Sequence, residues 1–241
     1  MVTSSTLNYQ PLYKQIKSLI LQRVIDGIWA PGSALPSEQQ LAKEFGVSQG
    51  TIRKALDEMT AENIFVRKQG KGTYVSQHSA NRSLFHFFYI VSNDGKRVMP
   101  DSRVISVIRS TANKGEIERL DLKQGEKVVR LKRIRLLNKK PVIVEHISLA
   151  VKMFSDFGKK EDIPNTLYEL YESQYDVRVM KAVEKLRAVK LKKEDAIHLE
   201  LPEGTPVLEI DRTAISLDQR PVEWRLSYID TQNYFYLSEL T

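Results

Sequence analysis

Two groups of side chains in this 241-residue chain have types and spacings that could do chemistry. The first is Ser48, Gln49, Gly50, Thr51, Arg53 and Lys54, followed shortly by Lys68, Gln69, Gly70, Lys71 and Gly72. A guanidinium such as Arg53 presents a two-donor fork to guanine, and the amide of Gln49 can read adenine. Thr51 and a helix N-terminus suit phosphate. Cationic side chains beside glycines let a backbone come close to a sugar-phosphate chain. The second group is Arg133, Arg135 and Glu145, each set in an otherwise aliphatic run. Strand alternation places the two arginines on one side with Val129, Leu131 and Leu137, and Glu145 on one side with Ile143, Ile147 and Leu149. A charge on an apolar face is costly unless it is paired or meets a ligand. Glu145 can pair with Arg133 or Arg135 across a hairpin, or the three can line a pocket; the residues alone leave both open.

Other chemistries find little support. There are no cysteines, which removes disulfides, thiolate nucleophiles and Cys-type zinc sites. The four histidines, His78, His86, His146 and His198, do not fall at metal-ligand spacing, so neither a metal nor another cofactor is expected. A net charge of +7 and a pI near 9.4 permit a polyanionic partner without demanding one. Residues 1–6 lack a leader pattern, and no run reaches the roughly 20 apolar residues of a membrane span. The expectation is therefore a cytoplasmic protein with no membrane partner.

The elements that must hold these groups can be read from periodicity. Leu12, Ile16, Leu19, Ile20 and Val24 form one helical stripe between Pro11 and Gly27. Ser37, with Gln40 three positions on, marks a capping box for a second helix that ends at Gly46. Ser48 caps a third, with Ile52, Ala55, Leu56 and Met59 facing inward. Residues 65–75, FVRKQGKGTYV, read as a hairpin with a basic tip. Two short helices, a tight turn and a basic hairpin match the grooves of duplex DNA; a small structural domain with a solvated charged face is the alternative. Beyond a polar stretch the pattern changes to strands at 104–109, 127–137, 141–150, 177–189, 206–216 and 221–229, with helices at 166–173 and 192–199. The division expected is residues 1–76, a linker at 77–83, and a second domain over 84–241. The stretch 85–101 carries no assignable role.

The run from Gly27 to Glu62, with Leu-Pro-Ser-Glu, Gly-Val-Ser and Thr-Ile-Arg-Lys-Ala-Leu, and the Gly-Lys-Gly-Thr wing, resembles the DNA-binding domain of the GntR family of bacterial regulators. The resemblance implies DNA contacts at Gln39, Ser48, Gln49, Gly50, Thr51, Arg53, Gln69, Gly70 and Lys71. Gln39 departs from the arginine frequent there, which removes a charge-assisted contact. The rest of the chain is similar to the UTRA effector-binding domain of the HutC branch, through Arg-Ile-Arg at 133–135, Thr-Leu-Tyr-Glu-Leu at 166–170, Pro-Glu-Gly-Thr-Pro at 202–206 and Arg-Pro-Val-Glu at 220–223. It implies an α+β protein: a winged helix-turn-helix joined to an antiparallel-sheet-plus-helices domain of chorismate-lyase-like fold. Pocket roles are implied for Arg133, Arg135, Glu145, Thr166, Tyr168, Glu223 and Tyr228. The arginines would hold an anion, the two glutamates would accept from hydroxyl or amino groups, and the Thr166 hydroxyl would assist the anion. The function implied is a regulator, repressing more readily than activating, that binds an inverted-repeat operator as a homodimer and answers to a small anionic metabolite. An enzyme acting on a small organic acid and a non-specific architectural DNA protein are the competing readings.

Overall fold

The computed structural model describes residues 10–76, 87–159 and 163–239, in two compact units, Met1–Gln77 and His78–Thr241. The linker expected at 77–83 lies outside the described residues, as do Phe85 and His86. In the first unit, helix α1 spans Leu12–Ile25, α2 Glu38–Phe45 and α3 Gln49–Ala61. The Ser37 hydroxyl accepts from the Gln40 amide while the Gln40 side chain accepts from the Ser37 N–H, at 3.3 and 2.8 Å. Two of the donors a helix leaves unsatisfied are thereby met, and Gly46, at φ +65°, stops α2. Ile16, Ile20, Val24, Leu41, Ile52, Leu56 and Met59 close the core between the helices. The wing follows: β1 (Phe65–Lys68) pairs antiparallel with β2 (Gly72–Val75). Its tip contains Gly70 at φ +69°, a conformation open to glycine without strain.

The second unit is built on a six-stranded antiparallel sheet. Its strands are β4 (Asp101–Thr111), β5 (Lys127–Leu137), β6 (Lys140–Ala150), β7 (Val179–Lys190), β8 (Pro206–Ser216) and β9 (Pro221–Ile229), in the order β4-β5-β6-β9-β8-β7. A separate ribbon pairs β3 (Ile90–Ser92) with β10 (Tyr234–Tyr236). One sheet face presents Val129, Leu131, Ile147 and Leu149 to helix α5 (Leu167–Tyr175), with Phe154 and Phe157 filling the layer. The opposite face is covered by α4 (Lys114–Leu120) over Val128 and Ala150, and by α6 (Lys193–Leu199) over Ile134 and Val144. Two elements went unread in the sequence. Helix α4 has only seven residues, too few for a visible stripe, although Asn113 and Glu116 form its capping box. The β3–β10 ribbon joins three-residue strands from the two ends of the unit.

Because α2 carries a reciprocal cap, Ser37→Ala should destabilise the first unit by about 1 kcal/mol, seen as a lower denaturation midpoint for its unfolding.

Candidate DNA interface and ligand pocket

At the start of α3 the Ser48 side chain accepts from the Thr51 N–H at 3.1 Å and also contacts the Thr51 hydroxyl at 2.9 Å. Both hydroxyls therefore shape the helix end. Gln49, Gly50 and Arg53 are exposed on it, as is Gln39 on α2. Arg53 does not stand alone. Its Nε and Nη2 donate to Glu38 Oε2 at 2.9 and 2.8 Å, and Gln49 Nε2 reaches the same oxygen at 3.2 Å. Arg67 bridges Glu38 Oε1 at 3.4 Å and Asp57 at 2.6 Å. The hydrogen bond from Arg53 is the main reason that the Glu38 carboxyl is held below its ordinary range. A guanine contact by the fork of Arg53 thus requires exchange with Glu38, a partner the sequence reading passed over although it ends Leu-Pro-Ser-Glu.

Two of the remaining cations are placed by aromatics. Lys54 lies over the Tyr13 ring at 4.1 Å, turned to α1, and Lys68 over Tyr74 at 4.2 Å. Gln69, Gly70 and Lys71 are exposed at the wing tip, where Lys71 N–H closes the turn on Lys68 O at 2.9 Å. A Cβ added at Gly50 would meet only Ser48 Oγ, at 3.8 Å. Nothing in the protein itself demands glycine there.

In the second unit a cleft opens over the sheet face that carries α5. Arg133, Arg135, Glu145, Thr166 and Tyr168 all line it. Arg133 stands directly opposite Glu145 across β5 and β6 and its Nε donates to Glu145 Oε2. Glu145 Oε1 accepts from Arg225 at 3.0 Å. Burial works against the Glu145 carboxylate, but Arg133, Arg225 and Arg135 outweigh it and hold the group well below the ordinary carboxyl range. The cross-hairpin pair and the pocket, left as alternatives above, occur together.

Three expected roles change. Glu223 is fully buried and does not line the cleft; it accepts from Tyr168 and Tyr171 hydroxyls at 3.1 and 2.8 Å and from Arg225 at 2.7 Å. It holds the wall in place. Tyr228 lies on the other sheet face, paired across from Val144 and packed edge-on to His146 at 5.9 Å. Side chains alternate along a strand, so Glu223, Arg225, Ser227 and Ile229 share one side of β9 and Tyr228 cannot join them. The Thr166 hydroxyl donates to Glu169 at 2.9 Å instead of standing ready for an anion.

Residues not singled out in the sequence complete the cleft: Arg212, Arg225, Asn165, and Phe87 to Ile90. Arg212 donates to Glu184 at 2.6 Å and to the Phe87 carbonyl at 2.5 Å. Strand parity with Glu223 and with Ile210 could have found Arg225 and Arg212. The Phe87–Ile90 segment gave no such signal, because its role comes from the β3–β10 ribbon that lays it across the cleft. Arg135 differs from its neighbours. Its Nη1 donates to the Asn165 carbonyl at 3.3 Å, and its nearest carboxylate is Glu145, at 4.0 Å. Burial, with Arg133 beside it, pushes its guanidinium down to about 9, which still leaves it charged at neutral pH.

Residues 12–75 match the family described as bacterial regulatory proteins, gntR family, and residues 96–234 match the UTRA domain. The chain belongs to the gntR family. The histidine utilization repressor of Pseudomonas putida is 30% identical over 203 residues, 84% of this chain and 81% of that protein. The mannosyl-D-glycerate transport/metabolism system repressor MngR of Escherichia coli is 27% identical over 232 residues, 95% of each. Among solved structures, one described as the ligand-binding domain of a GntR-family regulator from Bordetella bronchiseptica superposes with a TM-score of 0.59 at 28% identity, over 64% of this chain and 98% of that one. These relatives are regulators, so the gntR-family chain is a DNA-binding regulator with a UTRA domain and the enzyme reading is set aside.

Gly50→Ala should leave the winged unit as stable or stabilise it by up to about 1 kcal/mol; given the DNA contact that the resemblance implies for Gly50, it should also weaken duplex binding by about tenfold, the scale of one lost contact, with thermal melts and gel shifts separating the two effects. Arg133→Ala strips buried Glu145 of its closest partner but leaves Arg225 on its other oxygen, and should destabilise the second unit by about 3 kcal/mol or less, measured by chemical denaturation.

Proposed function

We propose that this gntR-family protein is a cytoplasmic transcription repressor that binds an inverted-repeat operator as a homodimer and changes its operator affinity when a small anionic metabolite occupies the cleft of the second unit. The observation that carries the reading is Arg135: a buried, charged guanidinium in a cleft wall, with no carboxylate of its own, in a chain whose other unit is a winged helix-turn-helix. Repression is supported by the two relatives above, both of them repressors. DNA contacts are assigned to Gln39, Ser48, Gln49, Gly50, Thr51, Arg53, Lys54, Lys68, Gln69, Gly70 and Lys71, and metabolite contacts to Arg133, Arg135 and Tyr168.

A dimer is supported by the sheet edges. The outer strands β4 and β7 expose Ile108 and Val183, each with about half its surface in solvent, as edges do when another surface covers them. Two-fold symmetry in the protein would then be mirrored in the operator. The metabolite acts only through different affinity for DNA-competent and DNA-incompetent states, so the coupling is reciprocal.

The test is a footprint on selected duplexes, with and without a metabolite extract, alongside sedimentation of the free protein. Protection of a symmetric site, relieved by the extract, is expected, and Arg53→Ala should relax base preference by about 1–3 kcal/mol. Equal binding to all duplexes would instead mark an architectural DNA protein and overturn the proposal.

A further inference from the structure

The polar atoms of the cleft are unequally used. Four guanidiniums meet there, Arg133, Arg135, Arg212 and Arg225, with three carboxylates held against them, Glu145, Glu184 and Glu223. Each carboxylate is already engaged: Glu145 by Arg133 and Arg225, Glu184 by Arg212 and the Tyr236 hydroxyl, Glu223 by Arg225 and two tyrosines. One positive charge is left over, and it sits on Arg135. Among the described residues, the buried cleft atoms without a hydrogen-bond partner are Nε and Nη2 of Arg135, Nε of Arg225 and Oδ1 of Asn165. That is three donors against one acceptor.

The two orphan atoms of Arg135 belong to one edge of its guanidinium, since Nη1 is the nitrogen spent on Asn165. The same edge elsewhere in this chain grips a carboxylate at two points: Arg130 gives Nε to Glu116 Oε1 at 2.6 Å and Nη2 to Oε2 at 2.7 Å. Such an edge matches the planar pair of oxygens of a carboxylate. The lining also offers apolar and aromatic surface from Phe87, Phe88, Tyr89, Tyr168, Ile143 and Ile229, and Arg135 lies over the Phe88 ring at 5.7 Å.

We propose, resting on the reading of this cleft as the metabolite site, that the ligand is a monocarboxylic acid with a flat or aliphatic body, gripped by the Nε/Nη2 edge of Arg135. A phosphate ester carries close to two charges near neutrality, more than the single surplus cation balances. A polyol needs acceptors for its hydroxyls, and the carboxylates that would supply them are taken. A cationic ligand would face the surplus charge directly.

Isothermal titration of the full chain with phenylacetate, its neutral isostere phenylacetamide, and glucose 6-phosphate tests this. Phenylacetate should bind saturably at millimolar concentration or below. Phenylacetamide should bind at least about tenfold more weakly, the scale of a lost charge-assisted contact, and glucose 6-phosphate more weakly than phenylacetate. Arg135→Gln, which removes a buried charge without stripping a carboxylate of its partner, should weaken phenylacetate by a similar factor. The comparison of acid with amide in the unaltered protein stands even if that variant fails to fold. Equal affinity for acid and amide, no binding of the acid, or indifference to Arg135→Gln would overturn the proposal. Tight glucose 6-phosphate binding that releases operator would overturn it too, while leaving the anionic-metabolite reading intact. A footprint that no metabolite extract alters would bring down the underlying reading instead.

Discussion

Burying guanidinium groups on the apolar face of a sheet is the constraint that organises the second unit. Each buried charge must find a carboxylate or a carbonyl, and the partners come from different strands: Glu145 on β6 for Arg133 on β5 and Arg225 on β9, Glu184 on β7 for Arg212 on β8. Helix α5 enters the same network through Tyr168 and Tyr171 onto Glu223. Strand register, helix placement and cleft shape are therefore set together. A slip of one residue in any strand would turn its charged group to the opposite face, away from these partners. The cleft's chemistry is a remainder of this pairing: among the described residues, Nε and Nη2 of Arg135 and Nε of Arg225 are the buried cleft donors left without a partner.

The winged unit solves a similar problem at its surface. Glu38, the first residue of α2, gathers Arg53, Gln49 and Arg67 from α3 and β1. It fixes long side chains in place, and on the DNA contacts proposed above this would lower the entropy lost on binding. Because these contacts are exposed, they can be exchanged for phosphate or base edges at modest cost. Two units of one chain thus use carboxylates to opposite ends, one to lock arginines permanently in a dry interior and one to hold them ready at the surface.

Much of this was legible beforehand. Three helices, the wing, six strands and two further helices follow from periodicities of 3.6 and 2 and from capping residues such as Ser37, Ser48 and Gly46, because burial of one face writes itself into local sequence. Arg133, Arg135 and Glu145 stood out for the same reason, as charges on faces that were otherwise aliphatic. Tyr228 was misplaced by resemblance where parity along β9 already excluded it from the side that holds Glu223. Helix α4 was too short to show a stripe, and β3 and β10 are too short to alternate.

By itself, the amino-acid sequence determined the local elements, the capped helix pair with its basic wing, and the presence of buried charge on β5 and β6, because each depends on residues a few positions apart. Tertiary structure alone decided which partner each charge takes, since Arg225, Glu223 and Tyr171 meet only after distant strands and a helix converge. It also decided that Phe87 to Ile90 form a cleft wall, because the strand that fixes them comes from the far end of the chain. The donors left over in the cleft, Nε and Nη2 of Arg135 and Nε of Arg225, exist as a remainder only once the sheet has closed over its own charges.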